Sequence, residues 1–245
     1  MLSAITIVPC FNEARRLKGD VLLELAAEPG RSILFVDDGS TDDTGAMLDA
    51  LQARRPDAVS VLHLTRNGGK AEAVRAGLLE AMRRGATYVG YFDADLATPP
   101  EEMLRLFHHL DDPRVEFAMA SRVALLGRHI ERTPLRHYLG RVFASAASLA
   151  LAMRVYDTQC GAKALRASPM LAEALSTPFT TRWVFDVELM MRLLRGGPAG
   201  RLTPAQFIEM PLRAWEDVKG SKLSSKAMVG AAADLARLAA WFRRE

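Results

Sequence analysis

The sequence predicts an α/β domain built on a mostly parallel, doubly wound, Rossmann-like sheet, and three observations predict it. Short apolar runs alternate four times with stretches of helical periodicity. Four of the apolar runs end in a polar or acidic motif, which is where ligands gather in such sheets. Across 245 residues no Gly/Ser/Pro-rich linker or charge block divides the chain, so a single domain, 1–245, is expected.

The elements follow in order. Residues 4–9, 32–36, 59–64, 88–92 and 115–120 are apolar runs of strand length. Between them, residues 21–28, 42–54, 70–84 and 100–110 place apolar side chains three and four apart, the spacing of a helix with one buried face. After Arg122 the alternation stops. A long helix is expected over 134–153, a loop over 156–163, a helix over 184–194 and a last strand over 206–212. Residues 224–244 mix Leu235, Leu238 and Phe242 with Asp234, Arg237 and Arg243 as an amphipathic helix. That helix has two destinations, the domain itself or an anionic membrane surface.

Composition narrows the class. Hydrophobic content of 49% and charged content of 25% are ordinary for a globular chain, and the net charge of +3 is too small for a nucleic-acid surface. Basic residues gather late, at Arg122, Arg128, Arg132, Arg136, Arg141, Lys219, Lys222 and Lys226, which suggests local anion sites. Two cysteines, Cys10 and Cys160, make neither a disulfide framework nor a metal cluster. Met1-Leu2-Ser3 opens no signal peptide, and the longest apolar stretch, 142–153, is short of the roughly 20 residues a membrane span needs. A cytoplasmic location is expected, with peripheral contact at the cytoplasmic membrane face as an option.

The chemistry sits at the strand ends. Asp93-Ala94-Asp95 follows the run 88–92; side chains two apart on a strand share a face, and paired carboxylates suit Mg²⁺ or Mn²⁺ together with substrate phosphates. The first strand ends in Pro9-Cys10-Phe11-Asn12-Glu13, where Phe11 is placed to pack on a nucleobase and Glu13 to accept from a ribose hydroxyl. The second ends in Asp37-Asp38, either of which can accept an N–H from a base, before Gly39-Ser40-Thr41-Asp42-Asp43. There Ser40 with Asp43 reads as a helix cap. The third ends in Asn67-Gly68-Gly69-Lys70, whose backbone N–H groups and lysine favour a diphosphate oxygen. A Gly-x-Gly-x-x-Gly or Walker loop is missing, which argues against dinucleotide and P-loop chemistry.

Those residues in that order resemble the family 2 glycosyltransferases, which have the GT-A fold. Later blocks, Asp157-Thr158-Gln159-Cys160-Gly161-Ala162-Lys163, Arg182-Trp183-Val184-Phe185-Asp186-Val187-Glu188 and Trp215-Glu216-Asp217-Val218-Lys219-Gly220-Ser221-Lys222, are similar to the dolichyl- and polyprenyl-phosphate glycosyltransferases. The dolichyl-phosphate glucosyltransferase branch resembles them most. The resemblance implies an inverting, metal-dependent enzyme moving a hexose from UDP-glucose, or from GDP-mannose, to a polyprenyl phosphate. The end of the strand–helix alternation after Arg122 divides the chain into a nucleotide-sugar half, 1–122, and an acceptor-side half, 123–245. The resemblance places Pro9, Phe11, Glu13 and Asp37 at the nucleoside, Lys70 and Asp93 at the diphosphate, Asp95 at the metal, and Arg122, Arg132 and Lys222 at phosphate; to these the strand-end pattern itself adds Asp38 beside Asp37 at the nucleoside and Asp93 beside Asp95 at the metal. Ala97 stands where the mannosyl branch has a metal-contacting glutamine, which favours the glucosyl branch. Ala162 replaces a bulky apolar residue and opens the acceptor side. Many relatives carry an N-terminal anchor or C-terminal spans, and neither is expected from this sequence.

The acceptor decides whether a base is needed. A phosphate monoester, with its second pKa near 6, is a nucleophile by about pH 7, whereas a sugar or alcohol hydroxyl needs a carboxylate to take its proton. For that second case Asp186 or Glu188 is the candidate base, whereas Asp95 enters catalysis through the metal. A soluble hydroxyl acceptor is therefore the alternative within the class. Outside it stand a sugar nucleotidyltransferase, whose glycine-rich amino-terminal loop is missing, and a non-catalytic nucleotide-sugar-binding module.

Overall fold

The computed structural model describes residues 3–131, 134–217 and 225–242. Arg132 and Lys222 therefore lie outside the described residues. The elements are β1 (Ala4–Cys10), α1 (Gly19–Leu22), β2 (Arg31–Asp37), α2 (Thr44–Arg54), β3 (Val59–His63), α3 (Lys70–Arg83), β4 (Tyr88–Phe92), α4 (Pro100–His109) and β5 (Phe117–Ser121). They continue with β6 (His129–Glu131), α5 (Pro134–Leu151), β7 (Ala162–Arg166), α6 (Pro169–Ala174), α7 (Phe185–Arg195), β8 (Phe207–Pro211), β9 (Ala214–Glu216) and α8 (Ser225–Phe242).

Seven strands form one sheet in the order β3-β2-β1-β4-β7-β5-β8. The expected doubly wound half is present: β1, β2, β3 and β4 pair in parallel and are joined through helices. The later half departs from expectation. The loop expected over 156–163 ends in β7, which runs antiparallel between β4 and β5 and separates two strands that simple alternation places side by side. β5 then pairs in parallel with β8. A small second sheet, β6 with β9, was not expected either, and the first helix is a single turn of α-helix followed by a 3₁₀ turn at Leu23–Ala26.

β7 fits there because its neighbours are small. Ala162 and Ala164 face the helix α4, and a Cβ at Gly90, opposite Ala164, would collide with Met103 and the Lys163 carbonyl. The apolar side chains divide by strand parity. Val89, Tyr91, Phe117, Met119 and Leu165 pack with α3 and α7 on one face, whereas Tyr88, Phe92, Ala118, Ala120 and Ala164 pack with α4 on the other. By the same alternation Lys163 and Ser121 belong to the Tyr91 face. The helix α8 packs on the domain through Leu235 and Leu238, both buried among α5 and α7 residues. Among the described residues no helix is long and apolar enough to cross a membrane.

Candidate active site

β4 is buried throughout and stops at Phe92, one residue before the first aspartate. The ladder continues by one bond, the Asp93 amide donating to the Gly161 carbonyl at 3.0 Å. The Asp93 carboxylate lies against Gly161, where any Cβ would strike it, so this position requires glycine. Beyond Asp93 the backbone turns, with Leu96 in the left-handed region at φ 56°, and Asp95 Oδ1 accepts from the Ala97 amide at 3.1 Å. The two carboxylates therefore meet in a turn after the strand, not along it. Neither caps α4, whose N-cap is Pro99 without a side-chain bond.

Two cations face this pair. Lys70, the first residue of α3, places Nζ 2.5 Å from Asp93 Oδ1. Crowding disfavours its charge, but Asp93, then Asp186 and Asp95, outweigh that and hold its pKa up. Arg16 is chelated by Glu13 and also feels Asp95 and Asp93. Asp95 is nevertheless held above the ordinary carboxylate range, by burial first and by the Asp93 charge second. Two hard oxygen donors whose charge is only partly neutralised fit a hard divalent cation. Among the described residues no third His, Cys, Asp or Glu completes a cage, so the remaining coordination positions would fall to water and substrate phosphates.

The glycine loop before Lys70 has a different occupant from the expected one. The amides of Gly68 and Gly69 donate to Asp38 at 2.8 Å each, and Asn67 Nδ2 adds a third bond at 3.0 Å. The anion held by those N–H groups is thus a carboxylate of the chain itself. Asp38 is buried and fully engaged, so its expected contact with the nucleoside is replaced by a structural one: it fixes the loop that aims Lys70. Burial pushes its pKa up, against the two glycine amides that pull it down.

Asp37 stays at the strand end with capacity to accept. Its Oδ1 takes the Ser40 amide at 3.0 Å and its Oδ2 faces His63 Nδ1 at 3.1 Å; burial raises its pKa, and Ser40 with His63 bring it below the usual value. His63, which the sequence did not single out, also meets Asp49 at 2.9 Å. Pro9 and Phe11 flank the same end of β1, both partly buried, and Glu13 is turned onto Arg16. The expected Ser40–Asp43 cap is not made. Thr44 is held by Asp42 instead, while the Ser40 hydroxyl accepts from the Asn12 amide.

Asp186 and Glu188 part company. Two positions apart on a helix are about 200° apart around its axis, and α7 sends them to different surroundings. Asp186 turns to the sheet and is buried, where its Oδ1 accepts from the Tyr91 hydroxyl and sits 2.7 Å from Lys163 Nζ. Glu188 points away. It accepts from the amides of Thr180 and Thr181 at 3.0 Å, from the Thr181 hydroxyl at 2.9 Å and from Arg192 at 2.7 Å. With its oxygens spent on that loop, Glu188 is withdrawn as a base. Lys163 is the group sequence reasoning missed: fully buried, it also donates to the Cys160 carbonyl at 2.6 Å and stands directly across the ladder from Tyr91.

Arg122, just past β5, is gripped by Asp157 through Nε at 2.6 Å and Nη2 at 2.8 Å, and its guanidinium lies 5.2 Å from the Trp215 ring centroid. Asp157 outweighs the cost of burial and raises the pKa of Arg122 further. Both cysteines are buried and free, burial pushing the Cys160 thiol up to about 11.

Residues 5–170 match the family described as glycosyl transferase family 2. Polyprenol monophosphomannose synthase of Mycolicibacterium smegmatis is 31% identical over 209 residues, covering 85% of this chain and 78% of that protein. Dolichyl-phosphate beta-glucosyltransferase of Mus musculus is 31% identical over 237 residues, covering 89% and 68%. Among solved structures, glucosyl-3-phosphoglycerate synthase from Mycobacterium tuberculosis, crystallised with Mn²⁺ and UDP-glucose, superposes with a TM-score of 0.70. It has 16% identity and covers 98% of this chain and 78% of that one. At that identity the likeness establishes the fold, which is of the GT-A type.

Proposed function

Since the chain belongs to glycosyl transferase family 2, and is thereby a glycosyltransferase, we propose that it transfers glucose from UDP-glucose to a polyprenyl phosphate with inversion at the anomeric carbon. The observation on which this rests is the Asp93–Asp95 pair at the end of β4, with Lys70 salt-bridged to its first member. Relatives named for polyprenyl or dolichyl phosphate acceptors support the acceptor class. Ala97 supports the glucosyl over the mannosyl donor.

Asp93 and Asp95 would hold Mg²⁺ or Mn²⁺. Such an ion offsets charge gathering on the departing diphosphate, a pair of unit charges about 4 Å apart being worth roughly 4 kcal/mol at an effective dielectric of 20. The chain supplies the rest. Lys70 stands where a diphosphate oxygen would need a counter-charge, and Asp37 with Phe11 and Pro9 lines the nucleoside end. Arg122, oriented by Asp157 and Trp215, presents a fixed guanidinium to the acceptor phosphate. That phosphate is largely dianionic near neutrality and attacks without a base: its oxygen bonds to the anomeric carbon as the bond to UDP breaks. A hydroxyl acceptor is the second reading, favoured by Asp186, a buried carboxylate facing Tyr91 and Lys163 and able to take a proton.

Incubation with labelled UDP-glucose, Mn²⁺ and a polyprenyl phosphate separates these. Label moving into the organic phase with stoichiometric UDP release is expected. UDP release only with a soluble hydroxyl compound would move the acceptor to the second reading, and binding without turnover would contradict both.

A further inference from the structure

We propose that Lys163 is a positioning residue for the transfer: one buried ammonium ties α7 to the turn at 157–161 and thereby sets where the Asp93 carboxylate stands relative to the Arg122 guanidinium. The proposal rests on the reading of Asp93 as the donor side and Arg122 as the acceptor side. Lys163 itself touches neither substrate.

The first observation is what the ammonium holds. Lys163 has no exposed surface, and its Nζ lies 2.7 Å from Asp186 Oδ1 on α7 and 2.6 Å from the Cys160 carbonyl oxygen. Lysine is almost never buried completely unless it is paired, and a buried ion pair adds little net stability over well-packed apolar side chains. What the charge supplies instead is attachment. An ammonium donates to particular oxygens and so joins two elements that apolar contact would leave free to slide.

The second observation is what the turn carries. Asp157, three residues before Cys160, accepts from the Arg122 amide at 3.1 Å, from its Nε at 2.6 Å and from its Nη2 at 2.8 Å. Gly161, the residue after Cys160, accepts the Asp93 amide at 3.0 Å and lies against the Asp93 carboxylate. The holder of the acceptor-side cation and the support of the donor-side carboxylate are thus the two ends of one five-residue turn. Glu209 fastens its first end through the Tyr156 and Asp157 amides at 2.7 Å each, and Lys163 fastens it at Cys160.

The other side of the ammonium is anchored as well. Asp186 Oδ1 also accepts from the Tyr91 hydroxyl, and Tyr91 stands across the ladder from Lys163, two residues before Asp93 on the same strand. The strand that leads to Asp93, the turn behind it and α7 therefore meet at a single charge. Without that charge Asp93 still follows β4 and Arg122 still follows β5, so each substrate keeps its binding group. Their mutual alignment is what slackens, and a misplacement of about 1 Å can cost about 100-fold in rate.

The test separates alignment from stability. Lys163→Met/Asp186→Asn is compared with Asp186→Asn, which keeps the ammonium, and Lys163→Met is compared with the wild type, which keeps Asp186. The double variant strands no buried carboxylate. For all four proteins kcat and both KM values are measured with UDP-glucose, Mn²⁺ and a polyprenyl phosphate, well below the lowest melting temperature, and UDP affinity in Mn²⁺ is measured by calorimetry. Loss of Lys163 should lower kcat by about tenfold to hundredfold in each comparison, with UDP affinity and both KM values within about threefold. A purely structural lysine predicts a lower melting temperature and kcat within about twofold, and that result would overturn the proposal. A rise in KM at unchanged kcat would overturn it too, since binding and not alignment would then have been lost. If the wild type moves no glucose to the lipid phosphate, the functional reading itself fails and the positioning role with it.

Discussion

Replacing Lys163 by methionine isolates the buried charge beneath the crevice. Lys163 has no exposed surface, and its ammonium is shared between Asp186 Oδ1 at 2.7 Å and the Cys160 carbonyl at 2.6 Å. Methionine fills similar volume without charge. Asp186, nearly as buried, is then left with the Tyr91 hydroxyl as its hydrogen-bond donor. Removing one partner of a buried pair typically costs about 3–5 kcal/mol, because the other charge stays in a poor solvent. For a chain of this length that corresponds to a fall in melting temperature of roughly 6–20 °C, at about 2–4 °C per kcal/mol. Adding Asp186→Asn removes the stranded charge, so the double variant should recover about half the loss or more. Calorimetric melting of the two single variants, the double variant and the wild type completes the cycle. A Lys163→Met protein melting within about 2 °C of the wild type, or a double variant as unstable as the two losses summed, would show that Lys163 and Asp186 are not coupled in this way.

Two further outcomes follow from the strand ends. Asp38→Ala strips the acceptor from Gly68, Gly69 and Asn67; about 2–4 kcal/mol of stability should be lost in a denaturant titration, and donor KM should rise as the loop that aims Lys70 slackens. The pKa of His63 is raised above 6.5, by Asp49 first and Asp37 second. The stability it contributes is thus full below the unfolded value near 6.5 and is lost as pH rises through the higher folded value. His63→Gln should flatten that part of the stability–pH curve, and an unchanged curve would remove the imidazole from the account.

How much of this was legible in the sequence depends on how local each cause is. Residues 88–92 form a strand because every side chain is apolar and buried, and the aspartates that follow announce its end; both facts lie within eight residues. The separation of Asp186 from Glu188 was also legible, since helical geometry alone sends residues two apart in different directions. β7 was not. Ala162-Lys163-Ala164-Leu165-Arg166 puts a lysine where a central strand should be apolar, and only Asp186, 23 positions on, and Tyr91, 72 positions back, make burying it tolerable. The Asp38 clamp is similarly non-local: Gly68-Gly69 before a lysine presents a real anion site, and nothing nearby in the chain says that a carboxylate 30 residues earlier fills it.

Whether Asp93 and Asp95 gather a divalent ion and a nucleoside diphosphate is read by calorimetric titration of UDP into the protein with and without Mn²⁺. Tight binding is expected only with Mn²⁺, and its loss is expected in Asp95→Asn at an unchanged melting temperature. Binding of UDP that ignores both the ion and that substitution would contradict that role of the two carboxylates.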